Sequence, residues 1–248
     1  MKRLFDILFA VLLLILVFPV MALFCTLIFL QDFHSPFYLG PRVGKNSKNF
    51  YIIKLRSMII DADRSGVDST SSNDSRITYL GHVIRKFKID ELPQLINVIK
   101  GEMSFVGPRP QMESNIARWT EAEKKLLSVR PGATDFSSIV FSDEGDILLG
   151  KEDLDVAYNQ LIRPWKSRLG LIYIKNQSIF LDIKLIIYTA ISIVSRSKAL
   201  ELVVAELKNI NADNTIIQIC KREHILTPEL PPVSDVILNT KGNSDDPI

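Results

Sequence analysis

A short run of charged residues, which begins at Arg85, is the sequence feature with the clearest capacity for chemistry. Its basic residues lead into two adjacent carboxylates, Asp90 and Glu91. Pro93 is compatible only with the first turn of a helix, so the carboxylates lie at a predicted helix N-terminus. The exposed N–H groups and the helix dipole stabilise anions at such a position. We therefore expect Asp90 to be ionised at neutral pH.

An ionised carboxylate can serve as a nucleophile or bind a divalent cation, and Mg²⁺ is an ion that prefers oxygen ligands. Farther along the chain, Arg109 lies between Pro108 and Pro110 and carries a planar fork that suits phosphate oxygens. A structural interpretation is also open, in which Asp90 only caps the helix and the basic residues form a solvated face. Both interpretations are consistent with the pattern.

A second group of basic residues lies between Asp32 and Asp61, where the chain has no acidic residue. Its members are Arg42, Lys45, Lys48, Lys54 and Arg56. Such a patch, next to an apolar segment, suits lipid headgroups or a phosphorylated ligand. A solvated face of a hairpin is the alternative.

Three predicted elements would position these side chains. Residues 92–100 carry apolar side chains at the spacing of an amphipathic helix, and Gly101 ends it. Residues 49–58 predict a strand that forms a hairpin with residues 37–43. Residues 181–197 contain an apolar run too short to cross a bilayer, which favours a core helix or a helix at the membrane interface.

The composition excludes several classes of protein. The chain has 248 residues, a formal net charge of +2 and 47% hydrophobic residues. The near-neutral charge does not favour nucleic acid as a partner. Two cysteines, Cys25 and Cys220, are too few for a disulfide scaffold and indicate a reducing compartment. The hydrophobic excess is concentrated near the N-terminus, which argues against a wholly soluble globule.

The segment Ile7–Leu30 is apolar, uncharged and long enough to cross a bilayer. As a helix, its 24 residues would extend about 36 Å, against a hydrocarbon core of about 30 Å. This length argues against a cleaved signal peptide. Pro19 lies near the middle of the segment and predicts a kink.

Basic residues flank this segment on both sides. Lys2 and Arg3 precede it, and three further basic residues follow from Arg42 onward. The positive-inside rule therefore favours the cytoplasm for both ends, as in a re-entrant helix that breaks at Pro19. The alternative is a plain kinked span, since proline is common in membrane helices.

Six stretches match, in order, the motifs of a known family. They are Lys2–Asp6, Lys54–Met58, Ile84–Leu95, Asn97–Pro110, Val129–Gly132 and Phe180–Lys184. On these stretches the chain resembles the bacterial sugar transferase family, the monotopic phosphoglycosyl transferases, over roughly residues 1–200. The run from Asp90 to Pro110 is the most specific part of the resemblance.

Together with the predicted elements, the resemblance implies an α+β fold that is mainly helical, with a small β-hairpin and amphipathic interfacial helices. Residues 1–32 would form a re-entrant membrane helix broken at Pro19. Residues 33–200 would form a catalytic domain on the cytoplasmic face of the bacterial inner membrane. We expect residues 201–230 to be a C-terminal extension, and the polar, proline-bearing residues 231–248 to be a disordered tail.

The resemblance also implies an activity that initiates surface polysaccharide or glycoconjugate synthesis. Asp90 would attack the β-phosphate of a UDP-sugar, release UMP and form an aspartyl phosphosugar. A polyprenyl phosphate, such as undecaprenyl phosphate, would then accept the phosphosugar. Glu91 would assist Asp90 and, together with it, bind Mg²⁺. The phosphates would be held by basic residues, namely Arg85, Arg109, Lys54 and Arg56.

One stretch departs from the family pattern and bears on the identity of the sugar. After Arg130–Gly132, many relatives continue with a Thr-Gly-Trp-Ala-Gln type sequence, whereas this chain has Ala133–Ile139. Because this region is expected to help bind the nucleotide-sugar, the sugar stays open. The alternative function is a membrane-anchored scaffold or interaction protein without catalysis, and a homodimer is compatible with the sequence.

Overall fold

The computed structural model describes residues 1–65 and 69–234. The predicted tail, residues 231–248, therefore lies outside the described residues from position 235 onward. The helices are α1 (Lys2–Asp32), α2 (Tyr79–Lys86), α3 (Gln94–Lys100), α4 (Glu113–Ile116), α5 (Glu121–Lys124), α6 (Phe136–Val140), α7 (Glu144–Ile147), α8 (Leu154–Leu161), α9 (Arg163–Asn176), α10 (Ile179–Val194), α11 (Arg196–Asn209) and α12 (Asn214–Lys221). The strands are β1 (Phe37–Val43), β2 (Asn49–Leu55), β3 (Ser104–Val106) and β4 (Gly132–Thr134). Short 3₁₀ turns cover Lys45–Ser47, Ala62–Ser65, Ile89–Glu91 and Lys125–Ser128.

The predicted fold class and hairpin are confirmed. The described chain is mainly helical, and β1 and β2 pair in antiparallel register, with Phe37 opposite Leu55 and Val43 opposite Asn49. The second strand ends at Leu55, before the predicted end at residue 58. The hairpin therefore provides a small β surface within an otherwise helical domain.

The predicted helix over residues 92–100 is confirmed as α3, which Gly101 ends with a left-handed φ of 91°. Asn97 fastens α3 to β2, and its side chain is fully buried. Its Oδ1 accepts from the N–H of Ile53 at 3.0 Å, and its Nδ2 donates to the carbonyl of Tyr51 at 2.8 Å. Nδ2 also donates to Glu102 at 2.7 Å. The turn that precedes α3 is consequently held beside the hairpin.

A short parallel pair of strands, which the sequence did not predict, supports the backbone next to Arg109. β3 and β4 pair through Ser104 and Gly132. A Cβ added to Gly132 would lie 2.1 Å from the backbone nitrogen of Gly107, so only glycine permits this approach of the two chains. The proline-flanked arginine follows β3 directly and is therefore placed by a rigid junction.

Both ends of α1 are attached to the same folded domain. At its N-terminal end, Lys2 forms an ion pair with the buried Asp182. Arg3 donates hydrogen bonds to two carbonyl groups near the end of α3, at 2.6 and 2.8 Å. At its C-terminal end, Asp32 accepts two hydrogen bonds from Arg56, one of them at 2.6 Å. The two ends of the apolar helix are thus attached to the same folded domain.

The helix α1 continues through Pro19 with helical backbone on both sides, so the predicted break is not seen as an interruption. Proline removes one hydrogen bond of the helix. Asp6, Ala10, Met21 and Ile28 are buried, whereas much of the remaining apolar surface is exposed. By length and composition, α1 is the one helix of the described residues that could cross a membrane.

The helix α10 is amphipathic with respect to the domain. Leu181, Asp182 and Leu185 are buried, whereas Ile187 and Val194 are exposed. The two interpretations of residues 181–197, a core helix or an interfacial helix, therefore describe two faces of one element. Its second face adds to the exposed apolar surface of the molecule.

The last two helices belong to the main hydrophobic core. Val203 and Leu207 of α11 are fully buried, and Ile217 and Cys220 of α12 are also buried. α11 packs against α10 and α6, and α12 packs against α9. The predicted C-terminal extension, residues 201–230, thus contributes to the folded domain.

Candidate active site

The acidic pair lies in the 3₁₀ turn Ile89–Glu91, between α2 and α3. The preceding residue, Lys88, has a left-handed backbone with φ 55°, which is uncommon for a residue with a side chain. This conformation turns the chain sharply between the two helices. Asp90 and Glu91 are therefore presented one turn before α3, close to the predicted helix start.

Glu91 forms ion pairs with two cations, Arg109 and Lys54. Nη1 of Arg109 lies 3.3 Å from Oε2 of Glu91, and Nη2 of Arg109 binds Oε1. Nζ of Lys54 lies 3.4 Å from Oε1 as well. Burial alone would raise the pKa of Glu91, but the charges of Arg109 and Lys54 outweigh it and hold this pKa well below its usual range. Glu91 is therefore an anion fixed in one orientation.

Asp90 is in a different situation, although it is the adjacent residue. Its side chain is buried and accepts no hydrogen bond from the described residues, and Nζ of Lys54 lies 3.9 Å from its Oδ2. Burial raises the pKa of Asp90 above its ordinary value, against the opposing charges of Lys54, Arg85 and Arg109. The sequence predicted only the stabilising effect of a helix N-terminus. The structure adds desolvation, which acts in the opposite direction.

A cavity of about 710 Å³ opens next to this turn. Its basic lining residues are Arg42, Arg85, Lys86, Lys88, Arg109 and Lys166. Hydroxyl-bearing residues also line it, namely residues 69–72, Ser138, Ser142 and Ser192. Glu91 lines the cavity, whereas the buried Asp90, which precedes it in the chain, is not a lining residue. The cavity is thus suited to a ligand that carries both phosphate and hydroxyl groups.

The structure brings most of the predicted site residues together. Arg85, Arg109 and Glu91 line the cavity, and Lys54 contacts both carboxylates. Asp90 and Lys54 do not line the cavity themselves but adjoin Glu91, whereas Arg56 neither lines the cavity nor pairs with either carboxylate among the described residues. Its guanidinium binds Asp32 and the carbonyl of Ser35 instead. The prediction that Arg56 binds a phosphate therefore has no support in this geometry.

Several residues of the cavity were missed from the sequence. Lys88 lies within the basic run, and its ammonium has no partner among the described residues; burial lowers its pKa. Lys166 pairs with Glu144 and lies 5.3 Å from the ring centroid of Tyr158. Lys88 could have been predicted from the sequence, because it lies two positions before the acidic pair. Lys166, Glu144 and Tyr158 belong to no local motif, and only the fold brings them to the cavity.

Among the described residues, the acidic pair is the one predicted from the sequence to hold a divalent cation. The described residues contain no group of three or more side chains that could ligate a metal. Mg²⁺ is commonly bound by one or two carboxylates together with substrate phosphates, so two carboxylates beside a phosphate-binding cavity fit it. Asp90 has both oxygens free of hydrogen bonds to the described residues, whereas both oxygens of Glu91 are bound to Arg109.

The fold and the site together define a class of protein. A carboxylate pair among half-buried cations, next to an open basic cavity, suits a phosphorylated ligand, and the domain that carries it also carries a long apolar helix. The profile described as Bacterial sugar transferase matches residues 1–196. The chain therefore belongs to the bacterial sugar transferase family. The family and the apolar helix α1 indicate association with a membrane.

Individual relatives agree with this assignment. An undecaprenyl-phosphate glucose phosphotransferase of Komagataeibacter xylinus is 38% identical over 195 residues, which cover 76% of this chain and 35% of the relative. A UDP-N-acetylgalactosamine-undecaprenyl-phosphate N-acetylgalactosaminephosphotransferase of Aeromonas hydrophila is 34% identical over 191 residues, or 76% of this chain and 42% of the relative. A Bacillus subtilis (strain 168) protein, whose name gives undecaprenyl-phosphate N-acetylgalactosaminyl 1-phosphate transfer as an inferred activity, is 48% identical over 110 residues, or 44% of this chain and 62% of the relative. The chain spans less than two thirds of the length of each.

Proposed function

We propose that this protein is a phosphoglycosyl transferase that moves a phosphosugar from a UDP-sugar to a polyprenyl phosphate, with release of UMP. The names of the relatives from Komagataeibacter xylinus and Aeromonas hydrophila support the acceptor and the type of transfer. The observation that carries the proposal is the carboxylate of Asp90, which has no hydrogen bond from the described residues and directly precedes Glu91, a lining residue of the basic cavity. Such a transfer would initiate a surface polysaccharide or glycoconjugate.

In the first step, an Oδ atom of Asp90 attacks the β-phosphorus of the donor. The bond between that phosphorus and the bridging oxygen breaks, and UMP leaves with the electron pair. The product on the enzyme is an aspartyl phosphosugar. Asp90 suits this role because its carboxylate is not committed to a hydrogen bond, while Lys54 and Arg109 are close enough to favour its anionic form.

In the second step, an oxygen of the lipid phosphate attacks the same phosphorus. The bond from phosphorus to Oδ breaks, which returns Asp90 as a carboxylate and leaves the phosphosugar on the lipid. Arg85 and Arg109 bind phosphate oxygens in both steps, since both line the cavity. Glu91 holds Arg109 in the same position in both steps through their ion pair.

Asp90 and Glu91 are also the residues that would hold Mg²⁺. When bound there, the ion would neutralise charge on the diphosphate, so that a carboxylate can approach it. Of the two residues, Asp90 offers the more available oxygens, because Arg109 already binds Glu91 at two points.

The membrane arrangement that we propose is monotopic, with α1 as a re-entrant helix and both of its ends on the cytoplasmic face of the bacterial inner membrane. A helix that crossed the bilayer would have its ends about 30 Å apart on opposite sides. In this chain, Lys2 and Asp32 are bound to the same domain through Asp182 and Arg56. Pro19 lies near the middle of the exposed apolar stretch and is the position at which the helix would bend. This arrangement gives a lipid phosphate access to the site from within the bilayer.

The test of the function is a product assay with the full chain in lipid nanodiscs. The protein is incubated with Mg²⁺, undecaprenyl phosphate and a panel of UDP-sugars, and the released nucleotide is identified. We expect UMP and a lipid-linked sugar diphosphate. Release of UDP would overturn the mechanism, and the absence of any transfer across the panel would overturn the proposed function.

A further inference from the structure

One wall of the cavity is formed by the segment of residues 138–146, here called the α6–α7 wall. Ser138, Phe141, Ser142 and Asp143 of this wall line the cavity. The carbonyl of Gly145 accepts a hydrogen bond from the N–H of Ser72 at 3.0 Å. The wall therefore also holds the hydroxyl-rich residues 69–72 at the cavity.

The α6–α7 wall has a chemical character different from the phosphate end of the cavity. It contains no lysine or arginine but carries three carboxylates, on Asp143, Glu144 and Asp146, together with serine hydroxyls. Carboxylates accept hydrogen bonds from hydroxyl groups, and serine hydroxyls donate and accept them. Asp143 and Glu144 pair with cations of other elements, whereas the lining cations Arg109 and Lys88 lie near Glu91. The wall is therefore matched to the sugar of a nucleotide-sugar.

The wall is held from behind by the C-terminal segment. Asp143 is bracketed by two arginines, with Nη2 of Arg196 2.8 Å from Oδ1 and Nη2 of Arg222 3.2 Å from Oδ2. Arg196 also donates to Oγ of Ser142 at 3.1 Å and to the carbonyl of Val140 at 3.1 Å. Arg222 follows α12, which the family match, residues 1–196, does not include.

Arg222 contacts Asp143 but does not itself line the cavity. Its side chain is 10% exposed, and its Nε and Nη1 atoms have no hydrogen-bond partner among the described residues. Its guanidinium lies 5.4 Å from the ring centroid of Phe141, a second residue of the wall. Because α12 is anchored in the core through Cys220, the arginine is delivered to the wall by a rigid element.

We propose that Arg222, in the segment after the matched family region, is a positioning residue that fixes the α6–α7 wall through Asp143 and thereby determines how the sugar of the donor binds. This inference rests on the proposed function only for the identity of the ligand. The mechanical part, the support of the wall by Arg222, stands on the contacts alone. The experiments separate the two parts.

The first experiment measures binding, without turnover, to the full chain in nanodiscs. The variants are Arg222→Gln, the conservative Arg222→Lys, and Glu229→Gln as a matched control. Glu229 forms an ion pair with Arg168 at 3.2 Å, and neither of these two residues lines the cavity. The ligands are UMP and the UDP-sugar that the wild-type protein binds most tightly among UDP-glucose, UDP-galactose and UDP-N-acetylgalactosamine.

We expect Arg222→Gln to bind the UDP-sugar about tenfold more weakly and UMP as tightly as the wild type. Arg222→Lys should restore part of the loss, because it keeps a cation against Asp143, and Glu229→Gln should resemble the wild type. An equal loss for UMP and the UDP-sugar would overturn the inference, as would unchanged binding of both. If Arg222→Gln does not fold, the same comparison of UDP-sugar affinity with UMP affinity is made for Arg222→Lys.

The second experiment needs no ligand. Amide hydrogen exchange over residues 138–146 should become faster in Arg222→Gln and stay unchanged in Glu229→Gln. Unchanged exchange in Arg222→Gln would overturn the support of the wall by Arg222. Faster exchange in a protein that binds no UDP-sugar would uphold that support and overturn the proposed function instead.

Discussion

Glu91 and Arg109 form a two-point ion pair, with Nη1 of the arginine 3.3 Å from one carboxylate oxygen and Nη2 bound to the other. Asp90, the preceding residue, has no hydrogen bond from the described residues. The two carboxylates thus differ in their hydrogen bonding, since Glu91 is bound to Arg109 and Asp90 is bound to no donor among the described residues. This asymmetry is the reason that the proposed mechanism makes Asp90 the reacting carboxylate.

Substitution of the available carboxylate should abolish transfer. We expect Asp90→Asn to lower kcat for UMP release by about 10⁴-fold or more, because the amide is a far weaker nucleophile and the covalent step is lost. The measurement is UMP release with undecaprenyl phosphate as acceptor. Asp63→Asn, at an exposed residue outside the cavity, is the matched control. Substantial turnover by Asp90→Asn would remove Asp90 as the nucleophile.

The pH dependence should report on Lys54. Burial raises the pKa of Asp90, and the charge of Lys54 counteracts that shift. The reaction needs the carboxylate, so kcat/KM should rise with pH through this pKa. Lys54→Met removes the counteracting charge, and we expect the acidic limb of the profile to move to higher pH. The exposed Lys48→Met is the control. An unmoved limb would show that Lys54 does not act on the titrating group.

Arg56 should behave as a structural residue. Because its guanidinium is bound to Asp32 and not to the cavity, we expect Arg56→Gln to leave the KM for the UDP-sugar unchanged and to lower the unfolding temperature. The two measurements are donor kinetics and thermal unfolding in nanodiscs. A large increase in KM at unchanged unfolding temperature would restore the phosphate-binding role that the sequence predicted.

Asn97 should be important for both stability and activity. Its buried amide joins α3 to β2 through three hydrogen bonds, and Asn97→Ala leaves the N–H of Ile53 and the carbonyl of Tyr51 without these partners. We expect the free energy of unfolding to fall by about 2–3 kcal/mol. Activity should fall with it, since α3 carries the acidic turn. The exposed Asn49→Ala provides the comparison, and equal unfolding of both variants would contradict this account.

The topology of α1 can be tested by labelling. In a background without Cys25 and Cys220, a cysteine added before Met1 and a separate Lys45→Cys variant should both react with an impermeant thiol reagent only from the cytoplasmic face. The attachment of both helix ends to one domain is the reason. Labelling of the two cysteines from opposite faces would indicate a helix that crosses the bilayer.

Local chemistry explains which features could be predicted. Gly101 and Pro93 restrict the backbone by themselves, so the bounds of α3 follow from neighbouring residues. The hairpin depends on a pattern within twenty residues. By contrast, β3 and β4 are three residues each, too short for any periodicity, and they meet through Gly107 and Gly132.

The residues of the site also fall into those that a short motif predicts and those that only the fold brings together. The acidic pair and Arg109 lie in short motifs, whereas Lys166 and Glu144 reach the cavity only through helix packing. The expectation that Arg56 binds a phosphate, which the geometry does not support, has the same origin, because its partner Asp32 lies on the other side of a loop in sequence. Burial, which raises the pKa of Asp90, is also a property of the folded chain and not of its neighbours in sequence.

The two attachments of α1 have a consequence for biogenesis. Arg56 follows Asp32 closely, so this end of the apolar helix can be fixed soon after it is synthesised. Lys2 must wait for Asp182, which is separated from it by 180 positions. During translation, the N-terminal end of the helix therefore has its first partners only when α3, whose carbonyl groups accept from Arg3, has been made, and the ion pair of Lys2 follows with α10. Because this contact joins residues far apart in sequence, we expect it to close late, after the helix has inserted.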